Sequence, residues 1–256
     1  MPQFILEAFI AGIIASFACG LGALPLAFKS INLEKHTGIA YSVAGGLMFA
    51  ASVYNLILPG LTLSSSTIGL GEALPVIVGI MLGAAFLWQT DRYLSPERLE
   101  SANWKRFGNR SQLLIFVAMA VHSIPEGVAV GVGYSSEAVY SNHLGHYIAL
   151  AIALHNIPEG LAVAVPMRAA GATMNRCFWA AFLTSVPQPL AAVPAAYVSW
   201  IFQPIMPILM GFAAGAMIFL VILELVPEAL HTSSPRKVAW SFTVGFCAMI
   251  LVQVIL

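Results

Sequence analysis

HSIPEGVAVGV at residues 122–132 returns as HNIPEGLAVAV at residues 155–165, with eight of the eleven positions identical. Each copy spaces a histidine and a glutamate four residues apart, His122 with Glu126 and His155 with Glu159. Four residues is about one helical turn, so the imidazole and carboxylate of each pair share a helix face. Both copies lie inside long apolar runs. A charged side chain at the centre of a membrane span costs on the order of 2.5–3.5 kcal/mol on insertion scales. Two such pairs at membrane depth therefore point to chemistry rather than to packing.

The rest of the chain fits a membrane reading. Of 256 residues, 59% are hydrophobic and 9% charged, and the mean hydropathy is +0.88. Soluble domains carry roughly 25% charged residues. Eight apolar segments are predicted as spans: Phe4–Phe28, Gly38–Gly60, Ala73–Asp91, Ser111–Gly133, His146–Met167, Cys177–Trp200, Met206–His231 and Val238–Leu256. Each is near the roughly 20 residues that cross a bilayer. The fold expected is all-α and polytopic, a single domain over residues 1–256 with one long polar loop at about 92–110. The start, MPQFILEAF, lacks a basic signal-peptide region and reads as the beginning of the first span. Net charge is zero, which leaves no basic field for nucleic acid. Cys19, Cys177 and Cys247 stand singly and form no CxxC pair.

The eleven basic residues give the orientation. Lys29 and Lys35 follow span one. Arg92, Arg98, Lys105, Arg106 and Arg110 follow span three. Arg168 and Arg176 follow span five, and Arg236 and Lys237 follow span seven. The positive-inside rule makes these loops cytoplasmic and places both termini outside. Spans four and five then run antiparallel. Related segments of opposite direction predict an inverted repeat, here 3+2+3, with a substrate site near the midplane. At about 1.5 Å per residue, His122 lies roughly 16 Å from the cytoplasmic end of its span. By the same rise, His155 lies roughly 13 Å from the opposite end of its own, so the motifs meet at similar depth. Imidazole nitrogen and carboxylate oxygen both bind first-row divalent metals.

Pro125 and Pro158 stand between His and Glu, and each removes a helix hydrogen bond. Gln188, between Pro187 and Pro189, suits an unwound or kinked stretch. In span seven, Glu224 and Glu228 are again four apart, with His231 one turn on; near the cytoplasmic exit they form a relay for leaving metal, or Glu228 and His231 are solvated helix-end residues and the deeper Glu224 alone is functional. His143 and His146 lie in the outer loop NHLGH, where they are either solvated or capture metal.

HSIPEGVAVG and HNIPEGLAVA resemble the paired fourth- and fifth-span signatures of the ZIP family of zinc/iron-regulated transporter-like proteins. The resemblance extends to AGGLMFAASVYNLILPGL at 44–61, TSVPQPLAAVPAA at 184–196 and GFAAGAMIFLVILELVPEAL at 211–230. These are similar to the bacterial and plastid-type branch. The resemblance implies a transporter in a bacterial inner membrane, alternating access with spans four and five in a moving unit, and a homodimer. It also implies a first metal on His122, Glu126, His155 and Glu159, and a second using Asn156 and the shared glutamates. The chain departs at Ser123, where asparagine is common, and at Gln188, where glutamate is common; both offer only neutral oxygens. Zn²⁺ is the first expectation as transported substrate, with Fe²⁺, Mn²⁺, Co²⁺ and Cd²⁺ served by the same donors. Two readings compete with transport of metal. An intramembrane metal hydrolase needs an open metal position and a general base, yet HExxH is absent and no catalytic residue is assigned. A proton-coupled carrier of an organic solute would use the glutamates without metal.

Overall fold

The computed structural model describes residues 2–27, 33–63, 68–94, 110–141 and 143–255. The span-forming helices, in chain order, are α1 Gln3–Leu21, α2 Leu33–Ala51, α3 Leu70–Leu94, α4 Arg110–Tyr140, α5 Leu144–Ala169, α6, α7 Met206–Leu220 and α8 Pro235–Ile255. Helix α2 continues through a π-turn at Ser52–Ile57 into Leu58–Thr62. Helix α7 does the same through a π-turn at Val221–Leu225 into Val226–Thr232. Helix α6 has two segments, Met174–Thr184 and Pro187–Ile201. No strand occurs among the described residues. Six of the eight, all but α4 and α6, are long and apolar enough to cross a bilayer by themselves. Helix α4 carries the polar residues of the first motif, and α6 is broken. The polar loop expected at about 92–110 lies largely outside the described residues.

Two expectations about helix ends need adjusting. Span four runs on to Tyr140, seven residues past the expected end at Gly133, because SSEAVY keeps helical hydrogen bonding beyond the apolar stretch. Span six is interrupted at Ser185 and Val186, where amides bond three residues back instead of four. Pro187 and Pro189 lack amide hydrogens, so the regular ladder cannot pass this point. The Gln188 amide donates to the Ser185 carbonyl at 3.0 Å, and side chains of neighbouring helices add to the break. Ser16 of α1 donates to the Ser185 carbonyl at 2.8 Å, and Ser123 of α4 donates to that of Thr184 at 3.0 Å. By contrast, α4 passes through Pro125 and α5 through Pro158 without losing helical form.

Glycines set which helices touch by backbone. A Cβ on Gly160 of α5 would overlap the Cys19 carbonyl of α1, and one on Gly127 of α4 the Gln188 carbonyl of α6. One on Gly83 of α3 would overlap Phe212 of α7, and one on Gly46 of α2 would overlap Phe242 of α8. The pairs are thus α1–α5, α4–α6, α3–α7 and α2–α8. Exchanging α1 with α6, α2 with α7, α3 with α8 and α4 with α5 maps this set onto itself, as a 3+2+3 inverted repeat requires. Every described glycine that lies this close to another helix meets one of its own group of four, either α1, α4, α5 and α6 or α2, α3, α7 and α8. The two groups meet through side chains, among them buried Met48, Leu56, Ile148, Ile152, Met210 and Met217.

Candidate metal centre

Helices α4 and α5 bring the two motifs together in the buried interior. Glu126, His155 and Glu159 are all buried, and one ligand atom from each lies within 4.8 Å of the others. His155 Nε2 is 3.1 Å from Glu126 Oε1. Neither carboxylate oxygen of Glu159 has a hydrogen-bond partner among the described residues. Charged groups taken out of water need such partners or a counter-ion. No Lys or Arg occurs from residue 111 to residue 167, so the basic residues of the motif helices are confined to Arg110 and Arg168 at their ends. One imidazole and two carboxylates with unused lone pairs are a donor set suited to a divalent first-row cation.

His122 is also buried but points elsewhere. Its Nε2 lies 3.4 Å from Glu224 Oε1 in the α7 π-turn. Thus three of the four motif residues converge, and the fourth reaches across to the other helix group. The residues expected at a second site are interlinked. Asn156 donates to the Gln188 side-chain oxygen at 3.1 Å and to the Ala15 carbonyl at 2.9 Å. Gln188 in turn donates to Glu126 through its amide nitrogen. Gln188 therefore sits in the first turn after the break in α6, fixed against the carboxylate. Ser123 is held by the Thr184 carbonyl. Asn156 Oδ1 is buried and unpaired among the described residues.

A cavity of about 660 Å³ ends at this cluster. His155 and Glu159 form its buried end, Glu224 lies along its wall, and Glu228, His231 and Thr232 line the exposed end. The three span-seven residues singled out by spacing therefore line one channel. On the other side of the cluster the space is tight: a void of about 10 Å³ lies among Asn55, Leu56, Ile148, Ile152 and Met217. Asn55 was not among the residues expected to matter. Its only sequence signal is an amide in an otherwise apolar run.

The turn between α4 and α5 holds a second cluster. Glu137, His143 and His146 also offer ligand atoms within 4.8 Å of one another. The Glu137 carboxylate accepts from the amides of Gly145 and His146 at 3.1 and 3.4 Å, and lies 2.9 Å from His146 Nδ1. Glu137 was missed by the sequence reading because span four was ended four residues before it.

A family profile described as ZIP Zinc transporter matches residues 89–253 of the chain. The zinc transporter GufA of Myxococcus xanthus is 31% identical over 241 residues, which cover 93% of this chain and 94% of that one. The chain belongs to the ZIP family. The zinc transporter ZIPB of Bordetella bronchiseptica is 32% identical over 251 residues, 96% of this chain and 80% of its own length. A relative from Arabidopsis thaliana is 35% identical over 233 residues, but this chain spans only 36% of its length. The matched region contains both motif helices, α6 and α7, so the converging carboxylates lie within it, as does the cavity wall apart from Tyr41, Ala44 and Met48 of α2.

Proposed function

We propose that this protein carries divalent transition-metal ions, zinc first, across a bilayer through the cluster on α4 and α5. The observation that carries the reading is the buried trio Glu126, His155 and Glu159, placed at the closed end of a cavity whose walls continue the same chemistry. The ion rests on those three residues. His122 completes the set when it leaves Glu224, or holds Glu224 when it does not. Glu224, Glu228 and His231 then form a descending series of donors toward the exposed end of the cavity. Arg236 and Lys237 follow Thr232 at that end, and the positive-inside rule makes it cytoplasmic. Movement through the cavity is therefore toward the cytoplasm, with the membrane a bacterial plasma membrane and both ends of the chain outside. Glu137, His143 and His146 stand at the opposite end, where they capture ions before passage. Asn156 and Gln188 offer neutral oxygens only, which supports one firmly held ion and a looser second.

The test is zinc uptake into proteoliposomes, followed with a trapped fluorescent indicator. Unmodified protein moves zinc down its gradient, and Glu159→Ala reconstituted in equal amount does not. Uptake by Glu159→Ala at the unmodified rate would remove the central cluster from the path. An intramembrane enzyme would hold the metal without moving it.

A further inference from the structure

The turn that joins the two motif helices carries donors of its own. Glu137 stands near the end of α4, and His143 and His146 flank the start of α5. Tyr147 donates its amide to the His143 carbonyl at 3.2 Å, so the helical ladder of α5 already includes His143. Three residues apart, the two imidazoles share one helix face. His146 Nδ1 lies 2.9 Å and His143 Nδ1 3.9 Å from the same oxygen, Glu137 Oε1. Bonds of about 2.0–2.1 Å to one tetrahedral zinc set its ligands about 3.3 Å apart. Small side-chain rotations therefore bring all three groups onto one ion.

A plainer reading makes Glu137 a cap for the first amides of α5, paired with His146. That accounts for two of the three residues. His143 is outside it, since 3.9 Å exceeds hydrogen-bond range. Two further facts favour an ion. First, two of the three donors are fixed in advance. A Cβ on Gly145 would lie 2.9 Å from Glu137 Oε2 and 2.8 Å from the Tyr134 ring, so a missing side chain lets α5 close on the carboxylate. The Tyr134 ring in turn packs on the His146 ring, with centroids 5.2 Å apart. Donors held in place beforehand cost less to order on binding. Second, the charge is uncompensated by the helices that build the turn. Glu7 of α1 and Glu137 line one pocket of about 270 Å³. The first basic residue of the chain is Lys29, and none occurs from 111 to 167. Two carboxylates thus face one pocket with no Lys or Arg from their own helices at that end.

We propose that Glu137, His143 and His146 hold a divalent transition-metal ion, zinc first, independently of the central cluster, and that this ion braces the turn between α4 and α5. Its fourth position is a water on the side of Glu7. Three protein ligands and a water make an open site, from which the ion exchanges with the medium. The donors and the pocket belong to α1, α4 and α5, three helices of one group of four. The site does not straddle the seam between the groups, so it fills however the two groups stand. Metal on this face therefore stiffens the link between the two helices that carry the central cluster before any ion reaches that cluster.

This inference takes its ion and its outer placement from the transport reading above, and it deepens the capture step there; the experiment keeps the two apart. Zinc binding is measured by calorimetry and metal analysis on the full chain in detergent, with the central cluster disabled by His155→Ala and Glu159→Ala together. One zinc per chain is expected to remain, and it is expected to raise the unfolding temperature. His143→Ala, added to that chain, leaves the cap on α5 intact. It should weaken the remaining binding by more than about tenfold and cancel the rise in unfolding temperature. Should the disabled chain not fold, the unmodified protein and its His143→Ala variant give the same comparison, the variant binding one zinc fewer. No zinc on the folded disabled chain, or equal affinity with and without His143, would overturn the proposal. Zinc uptake by Glu159→Ala at the unmodified rate would instead count against the central cluster, which is a different failure.

Discussion

His155 and Glu159 are neighbours by one helical turn, yet what gives them chemistry is Glu126, arriving from another helix with Gln188 already bound to it. Replacing either His155 or Glu159 with alanine removes a donor from a set of three. Zinc affinity, read by calorimetry, should fall by more than the about 10–100-fold that loss of an outer-sphere partner costs. Gln188→Glu makes a sharper forecast. Glutamate at this position cannot donate to Glu126, and it adds a third carboxylate near two others. Without metal the variant should be less stable by about 1–3 kcal/mol, the cost of leaving a buried acceptor unpaired. Zinc should raise its unfolding temperature more than it raises that of the unmodified protein, because binding to the folded state is linked to stability, and stoichiometry should move toward two. Acid acts in the opposite direction. Protons and metal compete for the same lone pairs, so zinc affinity should weaken steadily from about pH 7.5 to about pH 5.5, and calorimetry in buffers of different ionisation heat should show proton release on binding.

At the scale of helices, the positions where side chains are missing matter as much as those where they are present. Gly160 stands one residue after Glu159 and lets α5 lie directly on the Cys19 carbonyl of α1. Gly160→Ala forces those backbones apart; overpacking of this kind costs about 1–3 kcal/mol. Thermal unfolding in detergent should show the loss, and because Glu159 is adjacent, zinc affinity should fall with it. Alanine at Gly71, which would meet no atom within 4 Å, should change neither. The helices themselves were legible in the sequence, since apolar length and segregated basic residues are properties of the chain alone. So were His155, Glu126 and Glu159, because a repeated four-residue spacing is visible without coordinates. The pairing of His122 with Glu224 was not. It depends on how two distant helices meet, and nothing in the local sequence of either predicts it. The break before Gln188 was half legible: the flanking prolines announce an irregularity, but its position two residues earlier follows from which amides are missing. Asn55 and Glu137 escaped because each is a lone polar residue whose partners come from elsewhere in the fold.

The whole molecule has two faces of different chemistry. All eleven Lys and Arg residues stand in the connections after α1, α3, α5 and α7 or in the helix ends flanking them, whereas Glu137, His143 and His146 flank or occupy the turn after α4. Single cysteines report the orientation directly. With Cys19, Cys177 and Cys247 replaced, Ser141→Cys in right-side-out vesicles should react with a membrane-impermeant maleimide. Ser234→Cys should react only after the vesicles are opened. Labelling in the reverse order would turn the cavity toward the outside and reverse the proposed direction of flux.

The confinement of close glycine contacts to two groups of four helices, among the described residues, has a consequence for adaptation to temperature. Inside each group, fit is set by missing side chains, so a single added methyl there lowers the heat the protein survives. Between the groups, fit is set by methionine, leucine and isoleucine, which exchange with one another at little cost. Lineages living hot or cold could therefore retune how readily one group glides past the other by trading aliphatic residues along that seam, while the glycines that hold each group together stay unchanged. Endurance and speed would then drift separately, each recorded in its own set of residues.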